Sequence, residues 1–353
     1  MKQVFAKKGG VELENIEEPE CKDNYVKVKV QFSAISIGTE LKTYKKFTQP
    51  LYKTALENKD LVKKVIINKL TSKKSNIPKK WPLGYSCVGK VIESKSKNFK
   101  EGDTVACAGQ GFANHAEITS VPKNLVAKVP EGVNLEEAAH TTLGAIAIQS
   151  VRRLDPKFGE TVVVYGLGLL GNIITQILQV SGCKVIGIGR DPKRSSLAKT
   201  HITFTKDIVN SVLEETNIGA DGIIIAVSSN DKKIINNAMD MCRKKGKVVL
   251  VGDVPIHIER SSMFKKELDF LISTSYGPGR YDEEYEEKGI DYPLPYVRWT
   301  ENRNMQEFLR LLREKKIEIK PLIGKTYPIT KAKEAYKFLS TTKDKPLSVI
   351  FEF

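Results

Sequence analysis

Residues Thr161–Arg194 read TVVVYGLGLLGNIITQILQVSGCKVIGIGRDPKR and carry the strongest structural signal in the chain. Thr161–Tyr165 is a short β-branched run, typical of a buried parallel strand, and the glycine turn GLGLLG follows it directly. A helix is predicted next, ended by Gly182, and a second strand at Lys184–Ile188. The apolar residues that mark this helix are Leu170, Ile173, Ile174, Ile177 and Leu178.

Each glycine of the turn has its own role. Gly166 permits a tight bend, Gly168 lets backbone amides approach a pyrophosphate, and Gly171 lets the helix pack closely on the strand. In this order of strand, turn, helix and strand, the motif predicts a dinucleotide site. The candidate cofactor contacts are Gly166, Gly168, Leu169, Leu170, Gly171, Arg190, Lys193, Arg194, Val227 and Gly252.

The end of the second strand bears on the choice between NADP and NAD. Domains that bind NAD usually place an acid there for the ribose hydroxyls, and this chain has Gly189. Arg190 follows, with Lys193 and Arg194 in reach, and guanidinium groups suit a 2′-phosphate. We therefore expect NADP. If the cofactor is NAD, Asp191 is the expected ribose contact, and a solvated helix start is the remaining interpretation.

Composition bounds the class of protein. A chain of 353 residues allows two domains with their own cores, and 41% apolar with 28% charged residues is ordinary for a soluble protein. The net charge of +15 favours an anionic small-molecule substrate, while the scattered lysines do not indicate nucleic-acid binding. Five widely spaced cysteines without a CxxC indicate no disulfide framework. No apolar run approaches the roughly 20 residues of a membrane span and no signal peptide is evident, so we expect a cytoplasmic protein.

The segment before the glycine turn is predicted to be rich in strands. Tyr25–Phe32 shows period-two apolar spacing, and Ser33–Tyr44 is expected to turn through Gly38. Residues 51–80 indicate a lysine-rich, solvated helical insertion. Short strands separated by turns, as in a small β-barrel, are then predicted at Pro82–Glu93, Asp103–Ala108 and His115–Pro122.

After Arg194, helices and strands alternate, which predicts an α/β fold with a doubly wound parallel sheet. Strands are predicted at Gly222–Val227, Lys247–Val251 and Asp269–Ser275, and helices near Lys232–Cys242 and at Met305–Lys315. Residues 329–353 are expected to add a closing helix and strand.

Several stretches resemble the medium-chain dehydrogenase/reductase superfamily. Besides GLGLLG, they are ISIGTEL, PLGYSCVGKV, ACAGQGFANHAE, AAHTTLGAIAIQ and residues 275–305. These stretches are similar to the zinc-lacking oxidoreductases of bacterial polysaccharide and sugar biosynthesis. The resemblance implies a GroES-like β-barrel catalytic domain at 1–140 with a helical insertion near 51–78, a Rossmann domain at 141–275, and a C-terminal return to the barrel at 276–353. Many such proteins carry a fused second domain, so a companion oxidoreductase domain or a homo-oligomer is an expected partner.

The metal-binding positions of the zinc alcohol dehydrogenases in this superfamily have changed here. Ile37 stands at the first ligand position and has no donor atom. Tyr85 stands at the second, and a neutral phenol is a poor zinc ligand. The resemblance and the ligand chemistry therefore both predict that the enzyme works without a metal.

Without a metal, another group must handle the proton that accompanies the hydride. The resemblance places Thr39 where the superfamily keeps the hydroxyl of its proton relay, with Glu40 beside it. Tyr85 can donate to the substrate oxygen if its pKa is lowered, and His140 falls at the third ligand position as a natural acid or base. Thr39, Glu40, Tyr85 and His140 are therefore the catalytic candidates. The alternative is that Tyr85 and His140 only fill the domain junction.

Substrate contacts are predicted from two stretches. His115, in GFANHAE, either meets the substrate or is a buried, hydrogen-bonded structural histidine. Residues 275–305 are dense in aromatic and basic groups, among them Arg280, Tyr281 and Arg298, which suit a sugar and a phosphate or else anchor a long loop. The leading hypothesis is a zinc-independent, NADP-linked oxidoreductase that acts on a sugar or sugar-nucleotide carbon. The alternatives are C=C reduction, as in quinone reductases, and a cofactor-binding subunit whose companion module does the chemistry.

Overall fold

The structure is a computed structural model that describes residues 1–48 and 79–353. The helical insertion expected near 51–78 lies outside the described residues. Within them, no helix combines the length and the apolar character needed to cross a bilayer.

The strands have the following bounds: β1 Lys2–Lys7, β2 Gly10–Asn15, β3 Tyr25–Ile35, β4 Lys80–Pro82, β5 Ser86–Ser94, β6 Thr104–Ala108, β7 Ile118–Pro122, β8 Val126–Lys128, β9 Thr161–Tyr165, β10 Lys184–Ile188, β11 Ile202–Phe204, β12 Ala220–Ile225, β13 Cys242–Leu250, β14 Asp269–Ile272, β15 Ile323–Pro328 and β16 Ser348–Glu352. The α-helices are α1 Ile37–Thr48, α2 Leu135–Ala138, α3 Thr141–Leu154, α4 Leu169–Val180, α5 Pro192–Ser195, α6 Ile208–Thr216, α7 Ile234–Met241, α8 Arg260–Lys266, α9 Glu283–Glu286, α10 Glu301–Arg313 and α11 Ala332–Thr341. Short 3₁₀ helices lie at Lys123–Leu125, Lys320–Leu322 and Ile329–Lys331.

A parallel sheet carries the glycine turn. Its strands lie in the order β11-β10-β9-β12-β13-β14, and every neighbouring pair is parallel. The β-branched side chains of β9 and β12 are buried on both faces of the sheet because helices cover both faces. The order reverses between β9 and β12, so a crevice opens at their carboxyl ends. The doubly wound sheet predicted from the alternating pattern is confirmed.

A second, mixed sheet is built from both ends of the chain. Its order is β15-β16-β3-β5-β6-β8, with β7 paired to β3, and β2-β1-β4 form a small sheet beside it. β16 pairs antiparallel with β3, with Val349 opposite Ile35. The final residues therefore return to the sheet of the first strands, and helix α3 connects this sheet to the parallel one.

Close packing of α3 depends on one glycine. α3 is buried along most of its length, and α10 lies across it at Gly144. A methyl group on Gly144 would lie 2.1 Å from the ring of Phe308, a fully buried side chain of α10. Phe308 fills the space that a larger residue at position 144 would occupy, so this contact holds α10 closely against α3.

Three local predictions need correction. Ser33–Tyr44 does not turn through Gly38, because helix α1 begins at Ile37 and the Glu40 carboxyl accepts the Ser36 N–H at 2.8 Å near the helix start. The single strand predicted at Pro82–Glu93 is divided into β4 and β5 around Gly84, whose φ of 93° breaks the extended chain. The strand predicted from His115 begins only at Ile118.

Candidate functional site

Close contacts leave no space for a side chain at Gly166 and Gly171 of the glycine turn, or at Gly252 beside it. Gly166 has a φ of 109°, and a methyl group there would lie 2.9 Å from the Val227 side chain. A methyl on Gly171 would lie 1.9 Å from the Gly166 carbonyl oxygen. A methyl on Gly252 would lie 2.0 Å from the Val227 carbonyl oxygen. These glycines and Val227 therefore meet at the carboxyl end of the parallel sheet.

Gly168 faces open space at the start of α4. It is the N-cap residue, no side chain caps the helix, and a methyl group on Gly168 would contact nothing within 4 Å. The half-buried Leu169 and Leu170 follow as the first helical residues. The first amides of a helix have no partners within the helix, and together with the helix dipole they attract an anion. The residues present thus fit the pyrophosphate of a dinucleotide.

This arrangement predicts opposite outcomes for two matched substitutions. We expect Gly168→Ala to leave the thermal midpoint of unfolding unchanged but to weaken NAD(P)H binding, because its methyl stands where the pyrophosphate approaches. We expect Gly171→Ala to destabilise the fold by about 1–3 kcal/mol, because its methyl meets backbone. Calorimetry and a fluorescence titration with NAD(P)H measure both. Normal NAD(P)H binding by Gly168→Ala would contradict the assignment.

The charged residues after β10 have different surroundings. Arg190 is exposed, and within the described residues it has no ion pair. Asp191 caps α5 by accepting the backbone N–H of Lys193 at 3.0 Å, and its other oxygen lies 3.3 Å from Arg194 Nε. Arg194 also donates to the Lys345 carbonyl at 3.0 Å. Of the predicted 2′-phosphate contacts, Arg194 is held by Asp191 and the Lys345 carbonyl, Lys193 forms an exposed ion pair with Asp344, and Arg190 has no ion pair within the described residues. Asp191, the alternative ribose contact, is already used as a cap.

Helix α1 reaches the carboxyl edge of the parallel sheet. The Lys42 ammonium forms an ion pair with Asp253, the residue after Gly252. Thr39 lies three residues before Lys42, which places both on neighbouring positions of one helix face, and it is exposed. The ion pair therefore brings α1 toward the glycine turn, and with it the Thr39 hydroxyl, which is predicted to take part in proton transfer.

Tyr85 is buried beside the start of α1. Burial is the main cause that raises the pKa of its phenol to about 12, and the side chains of Ser36 and Thr39 oppose the rise through hydrogen bonding. The lowered pKa that the sequence argument required is therefore not present. At neutral pH, Tyr85 keeps its proton and is a hydrogen-bond donor among the hydroxyls of Ser36 and Thr39.

Glu40 and His115 belong to an interior network. The Glu40 carboxyl lies 2.9 Å from His115 Nε2 and accepts the hydroxyl of Tyr336 on α11. His115 Nδ1 lies 2.7 Å from the Ser33 hydroxyl. The side chains of Glu40 and His115 are 3% and 0% exposed, so both face the core instead of an open cleft.

His140 is enclosed at the junction between the two sheets. Its Nδ1 lies 3.0 Å from the Glu136 carbonyl and its Nε2 lies 2.6 Å from the Ser348 hydroxyl. A carbonyl oxygen only accepts, so Nδ1 carries the proton and Nε2 accepts from Ser348. Burial lowers the pKa of His140 to about 4. The titration near neutrality expected from the sequence is therefore absent.

The two predicted arginines of segment 276–300 have different surroundings. Arg280 pairs with Glu286 at 2.5 Å and lies 4.1 Å from the centre of the exposed Tyr281 ring. The Arg298 guanidinium lies 4.0 Å from the centre of the Trp299 ring, and the Arg152 guanidinium lies 3.4 Å from the same centre. Arg280 is thus paired with Glu286, whereas Arg298 is exposed and within the described residues has no ion pair, so its predicted contact with an anionic substrate stays a prediction.

Two buried residues escaped the sequence argument. Tyr276 is 3% exposed, and burial raises the pKa of its phenol, with Arg280, Glu301 and Tyr85 all close enough to affect it. Glu301 is fully buried at the first position of α10, and neither carboxyl oxygen has a hydrogen-bond partner among the described residues. For Glu301, the sequence shows only an acidic residue near a predicted helix start, and such residues are ordinarily solvated.

The residues present do not fit a catalytic zinc ion. Ile37 offers no donor, the raised pKa of Tyr85 keeps its phenol neutral, and both nitrogens of His140 are occupied. Within residues 1–48 and 79–353, no three His, Cys, Asp or Glu side chains lie together as a metal would require.

Comparison with known proteins finds dehydrogenases and oxidoreductases that are similar to parts of this chain. Residues 170–289 match the zinc-binding dehydrogenase family, a range that contains none of Ile37, Tyr85 and His140. Mouse quinone oxidoreductase is 26% identical over 71% of this chain and 74% of its own length. D-guloside 3-dehydrogenase of Escherichia coli K12 is 28% identical over 50% of this chain and 51% of its own length.

The solved structures extend the likeness to the whole chain. An alcohol dehydrogenase of Escherichia coli CFT073, solved with the cofactor NADH, aligns with a TM-score of 0.75 at 18% identity and covers 100% of this chain and 99% of its own. At that identity, the likeness concerns the fold. The chain is therefore similar to a zinc-binding dehydrogenase family over residues 170–289 and to oxidoreductases over a larger part of its length, and it shares the two-sheet fold of solved dehydrogenases.

Proposed function

We propose that the chain is a zinc-independent, NADP-linked oxidoreductase that moves a hydride to or from a hydroxyl-bearing carbon of a sugar or sugar nucleotide. One observation carries the proposal: the Lys42–Asp253 ion pair ties α1, with Thr39, to the sheet edge where the uncapped glycine turn lies. A dinucleotide site and a group of hydroxyls thus face the same region. The similarity to a D-guloside 3-dehydrogenase supports a sugar-like substrate.

The residues have separate tasks in this reaction. When bound, the nicotinamide dinucleotide supplies or accepts the hydride. The first amides of α4 hold its phosphates. Tyr85 keeps its proton at neutral pH and donates it from its phenol oxygen to the alkoxide oxygen that develops on the substrate. The exposed hydroxyl of Thr39 connects this phenol with solvent for reprotonation, while the buried surroundings of Tyr85 exclude other water.

The direct test is turnover by the purified chain. We expect NADPH to be oxidised with ketosugars or sugar nucleotides, and the rate to be unchanged after dialysis against EDTA, because the positions described above do not fit zinc. The zinc content of the same sample is measured before and after dialysis, so that the rate can be compared with the amount of bound metal. A rate that falls with EDTA and returns with zinc would contradict metal independence, and NADPH binding without turnover would favour a cofactor-binding subunit instead.

Tyr85→Phe tests the proton donor. Removal of the hydroxyl leaves the buried ring in place, so we expect kcat to fall roughly 100-fold with little change in NADPH affinity. Tyr44→Phe is the control, since Tyr44 also lies on α1 but stacks on Tyr336, and its hydroxyl has no hydrogen bond within residues 1–48 and 79–353. Equal kcat values for Tyr85→Phe and the parent enzyme would remove Tyr85 from the mechanism.

The cofactor preference is tested at Arg190. If Arg190 meets the 2′-phosphate, the parent protein binds NADPH more tightly than NADH, and Arg190→Ala weakens NADPH binding roughly 10- to 100-fold because a charged hydrogen bond contributes about 1.5–3 kcal/mol. NADH binding should not change. Arg313→Ala, at an exposed position on α10, is the control. If the parent protein binds NADH more tightly than NADPH, the expected preference for NADP is wrong.

A second candidate function rests on the alignment with mouse quinone oxidoreductase. The similarity to mouse quinone oxidoreductase over 71% of the chain favours reduction of a quinone or an enone. In that reaction the hydride adds to a carbon of the conjugated system, and the proton from Tyr85 is less critical. Turnover of NADPH with simple quinones but not with ketosugars, combined with an active Tyr85→Phe variant, would select this function.

A further inference from the structure

Asn172 is a fully buried polar side chain in the first turn of α4, directly after the glycine turn. Its Nδ2 atom donates to the Leu167 carbonyl at 3.0 Å and to the Gly168 carbonyl at 3.1 Å. The Asn172 backbone N–H also donates to the Gly168 carbonyl, at 2.9 Å. An asparagine amide has two N–H groups, so both of them are used on carbonyls of the glycine turn.

The other half of the Asn172 amide does not take part in these contacts. Its Oδ1 atom is buried, and within residues 1–48 and 79–353 it accepts no hydrogen bond. The opposite orientation of the amide would place Oδ1 against two carbonyl oxygens, which would repel it. The carbonyls therefore fix the orientation, and the side chain acts on the turn through its donors alone.

The two carbonyls determine where the neighbouring N–H groups point. In a trans peptide group, the C=O bond and the following N–H bond point in opposite directions. The Leu167 carbonyl shares its peptide group with the Gly168 N–H, and the Gly168 carbonyl shares its group with the Leu169 N–H. Because Asn172 holds both carbonyls toward itself, both N–H groups point away from it. Neither of them donates to another group among the described residues.

Packing does not restrain this part of the turn. Gly166 and Gly171 are enclosed by close contacts, whereas a methyl on Gly168 would meet nothing within 4 Å. A glycine in open space has more conformational freedom than any other residue. The hydrogen bonds from Asn172 therefore supply the restraint that packing does not supply at Gly168.

We propose that Asn172 is a positioning residue for the dinucleotide, because it fixes the peptide groups of the turn so that the Gly168 and Leu169 N–H groups face the pyrophosphate before it binds. The inference rests on the proposed function, since it places a dinucleotide at the glycine turn. Asn172 is buried and acts only through the backbone. Donors that are already oriented need not be ordered when the anion arrives, so the dinucleotide binds more tightly.

The test is a titration of the full chain and its variants with NADPH and with ADP-ribose, which contains the pyrophosphate but no nicotinamide. Asn172→Leu keeps the approximate size of the side chain and removes its donors. We expect its Kd for both probes to rise by about tenfold or more, by the same factor for each. Asn172→Ser should have intermediate Kd values, because a serine hydroxyl in a helix can donate to the carbonyl four residues earlier, here that of Gly168.

Gln176→Met is the matched control, one turn later on α4. Gln176 is also buried, but its amide bonds to the backbone of Glu318: Nε2 donates to the Glu318 carbonyl at 3.0 Å, and Oε1 accepts the Glu318 N–H at 2.8 Å. Gln176→Met should therefore lower the thermal midpoint of unfolding and leave the Kd for both probes unchanged. This control separates a loosened helix from a misdirected turn.

Two results would overturn the inference. One is that Asn172→Leu, or Asn172→Ser if the leucine variant does not fold, binds both probes as tightly as the parent does. The other is that Gln176→Met loses as much affinity as Asn172→Leu, because general loosening of α4 would then explain both losses. If the parent binds both probes but turns over no substrate, the proposed oxidoreductase function fails and the role of Asn172 stands. If the parent binds neither probe, both fail.

Discussion

Replacement of Glu40 by alanine is expected to lower the free energy of unfolding by about 3–5 kcal/mol. The Glu40 carboxyl accepts from the backbone of Ser36, from the hydroxyl of Tyr336 and from the ring of His115. All three donors lie in the core, and alanine would leave them without an acceptor or access to water. Each buried unsatisfied donor costs about 1–3 kcal/mol, so the loss exceeds that of an ordinary ion pair.

The Glu40 network also joins distant parts of the chain. Glu40 lies on α1, His115 precedes β7 and Tyr336 lies on α11, so the network connects the N-terminal strands with the C-terminal return. Urea denaturation followed by circular dichroism measures the loss. Glu101→Ala, at an exposed site, should change stability by no more than about 0.5 kcal/mol. If Glu40→Ala is as stable as the parent but inactive, Glu40 acts in the chemistry, as the sequence argument held.

Glu301→Gln is expected to raise the free energy of unfolding by about 3 kcal/mol at pH 7. Burial is the main cause that raises the pKa of the Glu301 carboxyl to about 9, and the nearby Glu286 adds to the rise while Arg280 opposes it. At pH 7 the folded chain therefore keeps Glu301 protonated, whereas the unfolded chain releases that proton near its ordinary pKa of 4.5. Folding must take up a proton, and glutamine removes this requirement while keeping the shape of the side chain.

The sign of the pH dependence follows from the raised pKa. Below about pH 4.5 both states hold the proton and Glu301 costs nothing. Between this value and about pH 9, stability falls as pH rises, by about 1.4 kcal/mol per pH unit from this group. The advantage of Glu301→Gln over the parent should therefore be absent at low pH and grow toward alkaline pH.

Denaturation of the parent and of Glu301→Gln across this pH range measures the effect. Glu131→Gln, at an exposed position, is the matched control and should follow the parent at every pH. A constant difference between Glu301→Gln and the parent at all pH values would show that Glu301 is not protonated in the folded chain.

Much of the parallel-sheet half is predictable from local sequence. β9 and β10 have the predicted bounds, Thr161–Tyr165 and Lys184–Ile188, because β-branched runs between glycine turns and helical periodicity are local signals. Gly166 and Gly171 leave no space for a side chain, so these two positions of the turn require glycine. The barrel half was predicted less well, because α1 begins at a residue that the pattern assigned to a turn.

The candidate site shows where local sequence stops being informative. Lys42 and Asp253 are 211 residues apart, and His140 meets Ser348 across 208 residues, so no motif indicates either contact. Whether Tyr85 titrates high or low depends on how deeply the fold buries it, and burial is a property of the packed chain.

The sequence by itself determined the parallel sheet and the glycine turn at its carboxyl edge, because both depend on residue type and short-range spacing. The tertiary structure alone decided that Glu40 and His115 face the core and that Glu286 pairs with Arg280. Protonation and charge pairing depend on distance and solvent exposure, which are set only when segments far apart in the chain pack together.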